Sequence, residues 1–307
     1  MEKVLYFEQI ERNKRYSWVL VALVFATLCF MSLVFSLIFA RLYGVGIMFL
    51  FLMFSTVFNI GYILYTYYKS ADIAVSAVHA QPADERKHRI LIDVVEEMAI
   101  AGGVPKPKVY VMPSPDINAF AAGRDPAHSV VCVTEGAIAK LNRQELSSVI
   151  GHEMTHIRNF DIRLVTLIAI MVGLVSIMAQ LFLRSMWYGG GGRSERRGGG
   201  GGLMIILLLV GVLLSIIAPL IVKLVQLAIS RKREYMADAG AVELTRYPPG
   251  MISALKKIRD EYKSGLQTKV NEAVAPMFFA DPTKNRLMDM FATHPPIEER
   301  IKALEKM

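Results

Sequence analysis

Residues 151–161 read Gly-His-Glu-Met-Thr-His-Ile-Arg-Asn-Phe-Asp, and this stretch decides how the rest of the chain is interpreted. His152 and His156 are four residues apart, so on a helix both imidazoles project from one face and can reach one metal ion. Glu153 lies beside the first histidine, where it can take a proton from a water that the metal activates. The pattern predicts a zinc site on a helix that begins near Gln144. Two ordinary histidines on an amphipathic helix are the alternative.

A catalytic zinc ion needs a third protein ligand, because three ligands leave one position open for water. The best candidate is Glu234, in the charged run at residues 231–238. Asp238 follows one helical turn later, where its carboxylate can accept a hydrogen bond from the far nitrogen of a zinc histidine and fix the tautomer. Considered alone, a glutamate and an aspartate at this spacing are more typical of a solvated helix face. The positions of the apolar segments along the chain favour the interpretation of Glu234 and Asp238 as part of a metal site.

Four apolar blocks are each about 20 residues long or longer, which is the length that a helix needs to cross a bilayer. They are Ser17–Ala40, Gly44–Tyr68, Leu164–Leu183 and Leu203–Val222, and the last continues to Ser230. The helix with the two histidines leads into the third block, and the fourth block leads into the Glu234 segment. Two crossings return both segments to the same side of the membrane, whereas a single crossing would separate the ligands by about 30 Å of lipid.

The predicted fold class is a mainly α integral membrane protein with four transmembrane helices and a small β-sheet. A helical hairpin at 1–68 precedes a catalytic part at 69–161, a second hairpin at 162–230 contains a glycine-rich loop at 189–202, and a second catalytic part occupies 231–307. The first catalytic part is predicted to contain a helix and three strands. These are Asp84–Gly102 for the helix, and Lys108–Met112, Ile117–Ala122 and Ser129–Thr134 for the strands.

Three separated runs of sequence resemble one known family. They are 151–161, Arg233–Gly240 and Ala292–Arg300, and they look like the HtpX family of membrane zinc proteases, relatives of the CAAX prenyl proteases. The resemblance covers the whole chain. It implies a zincin-like (gluzincin) catalytic domain with one zinc ion. It also implies ATP-independent endoproteolysis of misfolded or damaged membrane proteins, in quality control and stress response.

The resemblance assigns roles to particular residues. His152, His156 and Glu234 would be the zinc ligands, Glu153 the general base and Asp238 the residue that orients a zinc histidine. His294 would steady the oxyanion of the tetrahedral intermediate. Considered without the resemblance, it is more typical of the 293–296 entrance to the last helix. Arg300 could support the same site or be a solvated helix position.

A fourth short run also resembles the family pattern. Asn118, Ala119, Phe120 and Ala121 would form an edge strand that binds an extended peptide substrate through backbone hydrogen bonds. The alternative is a buried Phe120 in an ordinary small sheet, and the sequence favours neither.

Charge predicts the partners and the orientation. The formal net charge is +8, and most basic residues flank the apolar blocks, which indicates the lipid bilayer as a partner and no nucleic acid. The resemblance implies the cytoplasmic membrane, and the distribution of the basic residues places both termini and the catalytic domain in the cytoplasm. The basic glycine-rich loop does not fit this pattern, and a hairpin of the third and fourth blocks that enters the bilayer without fully crossing it is the alternative to two crossings. An inactive relative, a transporter and a prenyl-protein protease are weaker alternatives, because Glu153 is present, the blocks lack acidic side chains and the spans are few.

Overall fold

The computed structural model describes residues 6–167, 231–263, 277–279 and 295–307. Most of the third predicted span, all of the fourth, the glycine-rich loop at 189–202 and His294 lie outside the described residues.

The first two apolar blocks lie in two consecutive helices that pack against each other as a hairpin. Helix α1 spans Tyr6–Tyr43 and α2 spans Val45–Tyr68, with Gly44 between them at a φ of 94° that favours glycine. Within the hairpin, the buried Asn59 Nδ2 donates to Ser32 Oγ at 3.1 Å.

By length and composition, α2 can cross a membrane, and no other helix among the described residues meets the same criteria. Many of its large apolar side chains are more than 60% exposed, namely Phe49, Leu50, Met53, Phe54, Val57 and Phe58. A continuous apolar surface of this kind suits lipid rather than water. The other three predicted crossings remain predictions.

A four-stranded mixed sheet follows the hairpin and the short helix α3 (Ser70–Ala77). The strands are β1 (Gln81–Pro82), β2 (Lys108–Met112), β3 (Ala119–Gly123) and β4 (Ser129–Thr134), in the order β1-β2-β4-β3. Strands β2 and β4 are parallel, and the outer strands pair with them in antiparallel fashion. Two of the three predicted strands have the observed bounds. The third begins two residues later than predicted, because the Ile117 N–H donates to Glu261 instead of a neighbouring strand.

Helices cover one face of the sheet and enclose the main apolar core. They are α4 (Arg89–Gly102), α5 (Glu135–Lys140), α6 (Arg143–Arg158), α7 (Arg231–Thr245), α8 (Pro248–Lys263) and α9 (Ile297–Leu304), and a 3-10 turn spans Pro126–His128. Helix α4 starts at Arg89 and not at Asp84, because the Asp84 carboxylate accepts from the Arg86 and Lys87 amides and holds a turn there. Gly103, the residue after its last turn, has a left-handed φ of 63° and caps its carboxyl end. Helix α6 packs against α4, α7, α8 and β3, so it lies at the centre of this part.

Candidate metal centre

Helix α6 begins at a well-defined cap, which sets the direction of the two histidines. The Asn142 side chain accepts from the Glu145 amide, and the Glu145 carboxylate accepts in return from the Asn142 amide, forming a capping box. Ser253 and Lys257 on α8 also bind the Glu145 carboxylate. The start of the helix is therefore tied to its neighbour.

Helix α7 crosses α6 at very short range because small residues lie at the contact. A Cβ atom on Gly240 would overlap the Thr155 hydroxyl, and one on Gly151 would lie 3.3 Å from the Ala241 Cα. These glycines allow the two backbones to approach closely. The close approach brings Glu234, near the start of α7, to the face of α6 that carries the histidines.

The side chains of His152, His156 and Glu234 form one cluster whose candidate ligand atoms all lie within 4.8 Å of one another. The two Nε2 atoms are 3.1 Å apart. The Glu234 carboxylate oxygens lie 3.7 Å from His152 Nε2 and 3.6 Å from His156 Nε2. Tetrahedral zinc with ligands at about 2.0–2.1 Å requires ligand atoms about 3.4 Å apart. The observed separations are close to this spacing, so the three residues fit a zinc ion.

The Nδ1 atom of each histidine, which faces away from the cluster, lies at hydrogen-bond distance from a carboxylate. His152 Nδ1 is 2.9 Å from Asp238 Oδ1, and His156 Nδ1 is 3.0 Å from Asp161 Oδ2. Because an ionised carboxylate can only accept, each Nδ1 donates and each Nε2 faces the cluster. The structure thus places Asp238 beside a histidine as predicted. Asp161 does the same for the other histidine, although it was given no role from the sequence.

The two histidines have opposite pKa shifts in the metal-free protein. Burial lowers the pKa of His152 to about 4, although the Asp238 hydrogen bond opposes the shift. Burial also acts to lower the pKa of His156, but the Asp161 hydrogen bond and the charges of Glu234, Asp161 and Glu153 outweigh it and raise the pKa to about 9. A metal ion that binds here must therefore displace a proton from His156.

Arg300 is the buried partner of Asp238. Its Nε donates to Asp238 Oδ2 at 2.8 Å and its Nη2 donates to Asp238 Oδ1 at 2.6 Å, which is a bidentate pair. Burial acts to raise the pKa of Asp238, but the charge of Arg300 and the hydrogen bond with His152 hold it below its usual range. Only 1% of Arg300 is exposed, so the solvated position considered from the sequence is wrong.

Glu153 is buried next to the cluster. Only 2% of it is exposed, and its charge contributes to the raised pKa of both His156 and Arg300. The carboxylate is therefore within electrostatic range of the candidate metal ligands. This position is compatible with a general base, and the role itself stays a prediction.

The predicted substrate strand is at the edge of the described sheet, but part of this edge is occupied. The Phe279 N–H donates to the Ala119 carbonyl at 2.8 Å, and the Phe279 ring lies 4.7 Å from the His152 ring. Phe120 is fully buried, and its ring centroid is 5.0 Å from that of Phe278 on the other face of the sheet. Phe120 is thus buried, and this burial does not decide between a substrate strand and an ordinary small sheet, because substrate would pair with the backbone. A substrate role for residues 118–121 stays a prediction.

Comparison with known proteins identifies the family. A model described as peptidase family M48 matches residues 85–307, which is most of the chain. The chain belongs to peptidase family M48. A protease HtpX homolog from Caldanaerobacter subterraneus subsp. tengcongensis is 45% identical over 256 residues, covering 83% of this chain and 84% of the relative. Another from Dictyoglomus turgidum is 39% identical over 309 residues, covering 100% and 96%.

A solved structure shares the fold of this chain. The crystal structure of S. mikatae Ste24p matches with a TM-score of 0.50 and 19% identity, covering 97% of this chain and 67% of that chain. At this identity the match shows the fold alone. The chain is thus an HtpX-type M48 metalloprotease, and its His152, His156 and Glu234 form a group that could hold the metal on which M48 peptidases depend.

Three residues that lie on or next to the histidines of the candidate metal centre were not identified from the sequence. Asp161 was quoted within the first motif, and its position in the turn after α6 was the available signal. Asn13, whose Nδ2 donates to Asp161 Oδ1 at 2.6 Å, lies in a basic stretch before the first apolar block and carried no signal. Phe279 lies far from the motifs, and nothing in the pattern indicated that it would contact both His152 and the sheet edge.

Proposed function

We propose that the protein is a zinc-dependent endopeptidase of the cytoplasmic membrane that cleaves misfolded or damaged membrane proteins, as part of proteolytic quality control and stress response. The observation that carries this proposal is the cluster of two imidazoles and one carboxylate at zinc-ligand spacing. Both histidines are also held by carboxylates in the tautomer that ligation needs. Membership in M48 and the apolar hairpin support the protease class and the membrane location.

His152, His156 and Glu234 would hold the zinc ion. A bound zinc ion supplies Lewis-acid polarisation of the scissile carbonyl and makes water a better nucleophile at neutral pH. Glu153 would take a proton from the attacking water and pass it to the departing amine. Asp238 and Asp161 keep the Nδ1 protons of the histidines in place, so that both rings stay oriented. His294, outside the described residues, would steady the oxyanion of the tetrahedral intermediate.

Substrate would bind in extended form along β3. Because backbone groups alternate in direction along a strand, those of Ala119 and Ala121 face away from β4. Phe279 uses the Ala119 carbonyl, whereas no described residue bonds to the Ala121 amide or carbonyl on this side. Backbone pairing at Ala121 would bind an unfolded segment with little regard to its side chains. Such selectivity suits a protease that removes unfolded polypeptides.

The domain division and orientation belong to the same proposal. The first hairpin at 1–68 and the second at 162–230 would anchor the chain, and the parts at 69–161 and 231–307 would form one catalytic domain in the cytoplasm. The basic segments next to the apolar blocks support this orientation.

The test compares two forms of one substrate. The detergent-purified, zinc-loaded full chain is incubated with a membrane protein in its folded state and in a chemically unfolded state. We expect new amino termini only from the unfolded form, and a chelator should abolish them. Equal cleavage of both forms would contradict selection for unfolded chains. No cleavage of either form, with zinc bound stoichiometrically, would contradict the protease assignment and favour an inactive relative that binds without cutting.

A further inference from the structure

The amino-terminal helix reaches the turn that ends the histidine helix. Asn13 of α1 is 2% exposed, and its Nδ2 donates to the Asn159 carbonyl at 3.0 Å and to Asp161 Oδ1 at 2.6 Å. An amide NH₂ group has two donor hydrogens, so both are used on this turn. A helix that sequence reasoning treats only as a membrane anchor thus makes two buried hydrogen bonds to the catalytic part.

The second oxygen of the same carboxylate holds a candidate zinc ligand. Asp161 Oδ2 lies 3.0 Å from His156 Nδ1, so one carboxylate connects Asn13 to the imidazole. Arg233 Nη1 forms a longer, buried ion pair with the same Asp161 Oδ1, at 3.5 Å. Asn13 therefore provides the shorter of the two contacts to this oxygen.

The turn itself adopts a conformation that needs outside support. Phe160, between the two residues that Asn13 binds, has a φ of 60°, in the left-handed region that side chains other than glycine rarely adopt. Lys14 Nζ lies 4.3 Å from the centroid of the Phe160 ring, at cation–π distance. Two consecutive residues of α1 therefore hold both the backbone and the ring of this turn.

We propose that Asn13 is a positioning residue for the metal centre: α1 holds Asp161, and through it His156, in the orientation for ligation. The proposal rests on the proposed zinc site and adds that the membrane hairpin is part of its support. It follows that a chain whose first helix is displaced from the 159–161 turn binds zinc more weakly, even though every ligand is present. Docking of α1 on the 159–161 turn and binding of zinc are then coupled.

The test measures zinc affinity of the full-length chain in detergent by competition with a chromophoric chelator. Removal of a residue that hydrogen-bonds to a metal ligand typically lowers metal affinity by about 10–100-fold. We therefore expect zinc affinity to fall by about 10-fold or more in Asp161→Ala and by about 3–10-fold in Asn13→Ala. The matched control is Asn59→Ala, which removes another buried amide hydrogen bond of the same hairpin, to Ser32, far from the 159–161 turn. The control should bind zinc as tightly as the wild type.

Two further measurements separate positioning from general destabilisation. Asn13→Ala in the Asp161→Ala background should have no additional effect, because the coupling runs through that carboxylate. The visible absorption of the cobalt-substituted protein should change with Asn13→Ala and stay unchanged with Asn59→Ala. If Asn13→Ala does not fold, Asn13→Asp keeps the size, places a second carboxylate against Asp161 and should also weaken binding.

The outcomes distinguish the positioning role of α1 from the existence of the zinc site. Wild-type affinity in both Asn13 variants, with weak binding in Asp161→Ala, would overturn the role of α1 and leave the zinc site intact. Equal weakening in Asn13→Ala and Asn59→Ala would also overturn it, because hairpin stability would then explain the effect. A wild-type chain without stoichiometric zinc, or unchanged affinity in His156→Ala, would overturn the zinc site itself and this proposal with it.

Discussion

Replacing Glu153 with glutamine is expected to lower the rate of peptide-bond hydrolysis by about 10²–10⁴-fold, the usual contribution of a positioned general base. Glutamine has nearly the same size and fits the same buried position, but it cannot take a proton from water. Zinc content should be unchanged, because Glu153 is not one of the three clustered ligands. Initial rates of cleavage of an unfolded polypeptide and zinc content of the same samples check both expectations.

A surface glutamate provides the control. Glu97 pairs with Arg143, and the side chains of both residues are about half exposed. Glu97→Gln should leave the cleavage rate and zinc content unaltered. A Glu153→Gln enzyme that retained more than a tenth of the wild-type rate would show that another group takes the proton.

Replacing Arg300 with leucine is expected to destabilise the protein by about 3–5 kcal/mol, since removal of one partner leaves a buried charge without compensation. The partner is Asp238, which is 2% exposed and binds both Arg300 and His152. Without the guanidinium, the Asp238 carboxylate must become protonated or move, and His152 loses the acceptor that fixes its tautomer. The variant should therefore show a lower free energy of unfolding and weaker zinc binding together.

An exposed arginine shows how much of this effect comes from burial. Arg143→Leu removes an ion pair whose side chains are 49% and 51% exposed, and pairs of this kind contribute about 0–1 kcal/mol. Unfolding of the variants in detergent, with denaturant, gives the comparison. Equal loss of stability in Arg143→Leu and Arg300→Leu would contradict a structural role for the buried pair.

Local patterns explain what the sequence predicted well. The spacing of His152 and His156 places both on one face of any helix, and the structure brings their Nε2 atoms to 3.1 Å. The bounds of β2 and β4 follow from short β-branched runs between turns. Glu234 and Asp238 were found because the chemistry of zinc requires a third ligand and an orienting acceptor. The structure places Glu234 in the cluster and Asp238 beside His152.

Long-range contacts explain what the sequence did not predict. Asn13 and Asp161 are 148 residues apart, and no periodicity or motif records that a helix docks on a distant turn. Arg300 looks like an ordinary charged position on an amphipathic helix until the fold buries it against Asp238. Phe279 occupies part of the sheet edge through one backbone hydrogen bond, which any residue other than proline can make and which leaves no trace in the sequence.

The measurement that tests the central claim most directly is a titration of zinc into the metal-free, full-length protein, with the initial rate of cleavage of an unfolded polypeptide as the readout. We predict that the rate rises in proportion to added zinc, reaches its maximum at one equivalent, and stays at zero throughout in His156→Ala. Cleavage that is as fast without zinc, or no cleavage when one equivalent is bound, would contradict the account.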